Sequence, residues 1–145
     1  MAAAIIALIW FGMLIGVSFL ATPVKFVVHD LSLPVALQVG QATFALFSRV
    51  EWGFAAILFG VCLWMARTRP TMLALATLVA SAVLAEAVWL LPALDARVDA
   101  IVAGNQPPSS SHHTLYAALE ALKAVLLAAL AFLGLRRSPA RSPCP

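Results

Sequence analysis

Four long, continuous apolar runs fill most of this 145-residue chain, and they limit its fold more than any other feature. They extend from Ala4 to Val24, from Val39 to Ala66, from Thr71 to Leu91 and from Leu115 to Leu135. At a helical rise of about 1.5 Å per residue, about 20 residues cross a hydrocarbon core about 30 Å thick, so each run is long enough to span. A transmembrane strand would alternate in polarity over about ten residues, and these runs do not alternate. The pattern predicts an all-α integral membrane protein, a four-transmembrane-helix bundle comprising residues 1–135 as one domain. Charged residues make up 10% of the chain, against roughly a quarter in soluble domains, which argues against a water-soluble fold.

Prolines punctuate the runs. Pro23, Pro34, Pro70, Pro92 and the Pro107-Pro108 pair all lie between runs or at their ends, where the missing N–H and the ring normally stop a helix. Short-loop arginines set the direction. Arg67 and Arg69 lie between runs two and three, and Arg136, Arg137 and Arg141 follow run four. On the other side Lys25 and Arg97 stand alone, Arg97 between Asp95 and Asp99. Both N and C termini are therefore expected to be cytoplasmic, with loops 25–38 and 92–114 outside. The formal net charge of +3 comes from that cytoplasmic arginine and implies no nucleic acid. The tail over 136–145, basic and broken by proline, is expected to be disordered. The first run has no Lys or Arg before it and no A-x-A site after it, so it reads as a retained span, not a cleaved signal. Cys62, within a span, and Cys144, in the tail, do not form a disulfide framework.

Ionisable side chains are expensive in hydrocarbon, so they normally face a bundle interior and pair. Arg49 and Glu51 in the second run, Glu86 in the third, and Glu120 and Lys123 in the fourth all fall in the outer half or near the midplane of the expected topology. Their convergence from three helices marks a candidate proton, ion or solute site. In the fourth run His113, Tyr116, Glu120 and Lys123 are spaced by three, four and three residues, which places them on one helical face. His113 then stands at the outer mouth, and Tyr116 marks the outer boundary. In the second run Gln41, Ser48 and Glu51 share a face. Arg49 and Glu51, two steps of about 100° apart, cannot face each other within one helix, so at least one needs a partner elsewhere. The competing reading is structural: Glu120 with Lys123 and Arg49 with Glu86 would be helix-holding pairs, each contributing about 0.6–2 kcal/mol. Arg49 also has the reach to snorkel to the outer interface.

His29, Asp30, His112 and His113 form a weaker candidate metal set. Imidazole and carboxylate suit zinc, copper or iron, but no H-x-x-x-H or E-x-x-H spacing is present. The plain alternative is a pair of interfacial loops, with Asp30 or Ser32 capping one turn and Ser111 or Thr114 the last helix. Gly12 and Gly16 form a G-x-x-x-G step read as packing within the bundle. Trp10, Trp52, Trp64 and Trp89 suit interface belts. No cofactor motif is present.

Trp10-Phe11-Gly12, Ala21-Thr22-Pro23 with Phe26, Val39-Gly40, Phe44-Ala45-Leu46-Phe47, Trp52-Gly53 and Gly60, and the histidine pair His112-His113 leading into the last span, carry a resemblance, strongest in the first half, to a family of small bacterial membrane proteins related to the eukaryotic transmembrane-protein-205-like group. It implies a four-helix membrane fold and no particular chemistry. The expected setting is the bacterial cytoplasmic (inner) membrane, with the lipid bilayer and either a second copy or other membrane subunits as partners. Three functions follow: binding or transport of a proton, ion or small polar solute through the outer cluster; an accessory or assembly subunit of a larger membrane complex; or an intramembrane enzyme acting on a lipid or quinone with a glutamate as acid or base.

Overall fold

The computed structural model describes residues 1–27 and 29–136. All regular structure among them is helical, in four long helices: α1 (Ala2–Val24), α2 (Leu33–Trp64), α3 (Pro70–Val102) and α4 (His112–Leu135). All four are long and apolar enough to cross a membrane. Contacts between their ends fix an up-down-up-down arrangement. The start of α1 meets the end of α4 at Ala4 and Gly134. The start of α2 meets the end of α3 through a hydrogen bond from Gln41 Nε2 to Asp99 Oδ1, 3.2 Å long. The α2–α3 turn is tied to the end of α4 by Arg69, which donates to the carbonyls of Leu133 at 2.9 Å and Arg136 at 3.1 Å. These carbonyls belong to the last turn and just beyond it, where intrahelical partners run out. Arg67, Arg69 and Arg136 thus gather at one end, and residues 25–27 and 29–32 with the 103–111 loop at the other. Arg97 closes the second loop by donating to the Pro108 carbonyl.

One seam of each helix faces inwards. In α2 it is Ala36, Gly40, Phe47, Glu51, Ala55, Leu58 and Cys62, the three-and-four spacing of a helix packed along one stripe. In α4 the seam passes through Tyr116, Glu120, Lys123, Leu127 and Leu130. The opposite faces are apolar as well, with Leu46, Ile57, Val88 and Val125 exposed.

Two prolines depart from their expected role. The second loop was expected to begin at Pro92, but the helix continues through Pro92 to Val102. α2 likewise starts at Leu33, with Pro34 in its first turn, so both of these loops are shorter than expected and α2 is about 48 Å long. Each interior proline is preceded by a π-helical segment, Ile15–Ala21 before Pro23 and Glu86–Leu90 before Pro92. There the Thr22 N–H bonds to Val17 O and the Leu91 N–H to Glu86 O, five residues back. Proline lacks an N–H and crowds the carbonyl four residues back; the wider π-turn absorbs both defects without ending the helix.

α1 leaves the bundle at its π segment. Ala3, Ala4, Ala7, Trp10 and Leu14 are buried, but no residue from Ile15 to Val24 is. Trp10, expected in an interface belt, lies in the core stacked on Phe54 at 5.7 Å, whereas Trp52, Trp64 and Trp89 are exposed. The glycine step also differs from expectation. A Cβ at Gly12 or Gly16 would meet nothing within 4 Å, so neither serves packing inside the bundle; the close approach is at Gly134, where a Cβ would lie 2.9 Å from that of Ala4. Ser32 and Ser111 hold the N-cap positions of α2 and α4, but neither side chain makes a capping bond. Arg137, Arg141 and Cys144 lie outside the described residues.

Gly134→Val should therefore lower stability by about 1–3 kcal/mol through overpacking against α1, while Gly12→Ala should cost nothing measurable. Thermal unfolding of the full chain in detergent distinguishes the two.

Candidate functional site

Lys123 is fully buried, and its ammonium is shared by three carboxylates from three helices. Nζ lies 2.7 Å from Glu51 Oε1 on α2, 2.5 Å from Glu86 Oε2 on α3 and 2.7 Å from Glu120 Oε1, one turn back on α4. The three glutamates are at most 2% exposed. All four residues sit on inward seams, which is why four separate polar interruptions meet at one point. α1 completes the centre from the remaining side. Trp10 Nε1 donates to Glu51 Oε1 at 3.1 Å, and Ser18 Oγ donates to Glu120 Oε2 at 2.7 Å. Both π segments touch this centre: Ser18 lies within the first, and Glu86 opens the second. Such segments are rare and occur often at functional sites.

The centre is incompletely satisfied. Three ionised carboxylates and one ammonium would leave two negative charges without compensation. Glu86 Oε1 is buried with no hydrogen-bond partner, and Glu120 Oε1 meets Nζ at 2.7 Å off the direction of a hydrogen bond. An uncompensated buried charge costs several kcal/mol. The centre therefore needs protons or a further cation to reach neutrality.

Glu120 is the carboxylate with an opening. It lies at the floor of a cavity of about 340 Å³, whose walls are Ser18, Phe19, Phe26, Phe44 and Tyr116 and whose mouth is His113. The cavity occupies the space left where α1 diverges from α4. Tyr116 is buried and meets the edge of Phe44 at 5.0 Å. A second cavity of about 270 Å³ adjoins it, sharing Phe26, Phe44 and His113 and adding Lys25 and Asp95. Lys25 Nζ lies over the rings of Phe26 at 5.1 Å and Phe44 at 5.7 Å. Gly40 makes this possible, since any Cβ there would collide with Nζ. Partial burial pushes the Lys25 pKa down from its ordinary value.

Of the candidates read from the sequence, Glu51, Glu86, Glu120 and Lys123 come together, Tyr116 lies beside them, and His113 stands at the mouth of the cavity. Arg49 does not join them. It is exposed on the outer side of α2, with no hydrogen bond or ion pair among the described residues. Among the described residues, the one group of three or more side chains placed to share an ion is Glu51, Glu86 and Glu120, and the Lys123 ammonium occupies its centre. His29, Asp30, His112 and His113 form no such group; His112 instead meets the edge of Trp89 at 6.2 Å. Sequence reasoning missed Trp10 and Ser18. Their only signal is position, since Trp10 falls on the same three-and-four stripe as Ala3, Ala7 and Leu14.

The fold and centre define the chain's class: an all-helical bundle with four helices apolar enough to cross a membrane, built around a buried carboxylate–lysine centre. No known protein family, curated protein or solved structure matches it.

Removing the ammonium should be the most damaging change in the centre. Lys123→Met should destabilise the bundle by about 3–5 kcal/mol, and by less at about pH 5 than at about pH 8, because protons then replace the lost positive charge. Unfolding of the full chain in detergent at the two pH values measures this.

Proposed function

We propose that this chain is a multi-pass protein of the bacterial cytoplasmic membrane that binds a proton at the carboxylate–lysine centre. It exchanges that proton, through the cavity above Glu120, with an ion or small solute from one side of the membrane. The observation that carries this reading is the charge excess of the centre combined with the opening at Glu120. A sealed ion pair with matched charges would only hold helices together, whereas this one has more acid than base and a route to one end of the bundle. Ionisable groups within spans are functional by default for the same energetic reason.

The direction follows from the gathering of Arg67, Arg69 and Arg136 at one end, which supports a cytoplasmic position for both termini. The His113 mouth then faces outwards. The resemblance of the first two spans to small bacterial four-helix membrane proteins agrees with this setting. Within the reading, Glu120 is the exchanging acid, Glu51 and Glu86 share its proton, Lys123 is the fixed counter-charge, and Tyr116 and Ser18 orient the carboxylate.

The test is infrared difference spectroscopy of the full chain in lipid, following the C=O stretch of protonated carboxyl groups between about pH 5 and pH 9, where buried glutamates titrate. The expected result is a band that fades as pH rises and is diminished in Glu120→Gln. A wild-type spectrum without a titrating carboxyl in this range would overturn the reading.

A second reading, an accessory subunit of a larger complex, is favoured by Arg49. An outward arginine near the middle of a spanning helix costs about 2.5–3.5 kcal/mol, and a partner helix carrying a carboxylate would remove that cost. Native mass spectrometry after gentle extraction separates the readings: a hetero-complex lost on Arg49→Ala supports the subunit, and a chain found alone or only with its own copies counts against it.

A further inference from the structure

We propose that the cavity above Glu120 binds a hydrophobic organic cation, an alkyl- or arylammonium, in exchange for the proton. The inference rests on the proton-exchange reading and names its second ligand.

Three observations converge on this ligand. The first is the wall chemistry. Phe19, Phe26, Phe44 and Tyr116 surround a space of about 340 Å³, within the range of small-molecule sites. Aromatic faces attract cations through their quadrupole, and aromatic enclosures are the usual way to hold quaternary ammonium groups, which cannot donate hydrogen bonds. The second is the floor. Glu120 Oε2, held by Ser18 at 2.7 Å, belongs to a carboxylate that lines the cavity and to a centre with more acid than base. A cation placed there supplies the charge that the centre lacks. The third is Lys25. Its ammonium already lies over Phe26 and Phe44 from the adjoining cavity, so the chain itself places a cation on these rings.

The charges around Glu120 decide between a cation and an anion. Lys123 and Tyr116 face it from α4, Glu51 from α2 and Glu86 from α3. α1 presents the uncharged Ser18 and Trp10. His113 stands at the mouth and Lys25 in the adjoining cavity. An anion at the floor would meet three carboxylates with one buried ammonium between them. A cation would meet the Glu120 carboxylate and supply the charge that the centre lacks, and the proton it replaces in the centre leaves to water. Lys25 then competes with the ligand for the ring faces and tunes its affinity.

The experiment is isothermal titration of the full-length protein in detergent with benzyltrimethylammonium, benzyl alcohol and benzenesulfonate as cationic, neutral and anionic probes of one shape class. Titration in two buffers of different ionisation enthalpy gives the protons released. The expected result is preferential binding of the cation, release of close to one proton per cation bound, and a rise in affinity approaching tenfold per pH unit while the centre holds its exchangeable proton. Glu120→Gln should abolish the proton release and weaken binding at least tenfold. Lys25→Met should tighten binding. Should Glu120→Gln fail to fold, Phe44→Leu, which keeps bulk and removes the ring, should weaken cation binding instead. Absence of cation binding, equal binding of benzyl alcohol, or tighter binding of benzenesulfonate that weakens on Lys25→Met each overturns the proposal. If the cation fails while the Glu120-dependent carboxyl band still titrates, the cation is wrong and proton exchange stands; loss of both removes the two together.

Discussion

One ammonium shared by three buried carboxylates is the constraint around which this bundle is organised. Lys123 ties α4 to α2 and α3 at a single point, and the indole of Trp10 and the hydroxyl of Ser18 bring α1 to the same point. Stability alone is a poor explanation for such a centre. Removing charges from water costs several kcal/mol per ion, and well-packed apolar residues often replace a buried ion pair without loss. Ordinary polar contacts between membrane helices contribute only about 0.6–2 kcal/mol. A chain that needed only to hold four helices together had less costly means, including the close Ala4–Gly134 contact that it uses at the arginine-rich end.

Two prolines link that centre to the cavity beside it. Pro23 and Pro92 each follow a π-helical segment, and each segment contributes a residue to the centre, Ser18 or Glu86. The same local defect that accommodates a proline also carries α1 away from α4. Above Leu14, α1 has no fully buried residue, and the space it vacates becomes the cavity over Glu120. The packed half of the bundle and the open half are thus set by the position of a few residues in α1, and the centre lies where one gives way to the other.

Much of this was legible in the sequence, for reasons that differ from residue to residue. The four apolar runs gave the helices because a backbone long and apolar enough to cross hydrocarbon would find no other partner there. The three-and-four spacing of Tyr116, Glu120 and Lys123 gave one face of α4. The angular separation of Arg49 and Glu51 showed that they could not both turn inwards, but choosing between them required the packing of Phe47, Glu51 and Ala55 on one seam. Trp10 was misread because an indole satisfies either an interface or a buried carboxylate, and composition does not tell the two apart. Pro92 was misread because a proline ends a helix only where no wider turn absorbs it. The glycines of α1 were misread because a small residue permits close approach without requiring it, as the contrast between Gly12 and Gly134 shows.

The chain's two lysines use the two ways a protein can hold a cation. Lys123 is held by carboxylates at 2.5–2.7 Å, a charge-assisted contact that needs full burial to be strong. Lys25 is held over aromatic faces at 5.1–5.7 Å, a weaker contact that tolerates partial exposure. The cavity lies between them, with Phe44 and Tyr116 on its wall and Glu120 on its floor. Moving from the His113 mouth inwards, a cation would pass from the environment of Lys25 to that of Lys123, exchanging ring faces for carboxylate as water is excluded. Because Glu120 is common to the cavity and the centre, a cation arriving from the cavity would change the number of protons that the centre requires, and on the proposed exchange that one carboxylate couples the two.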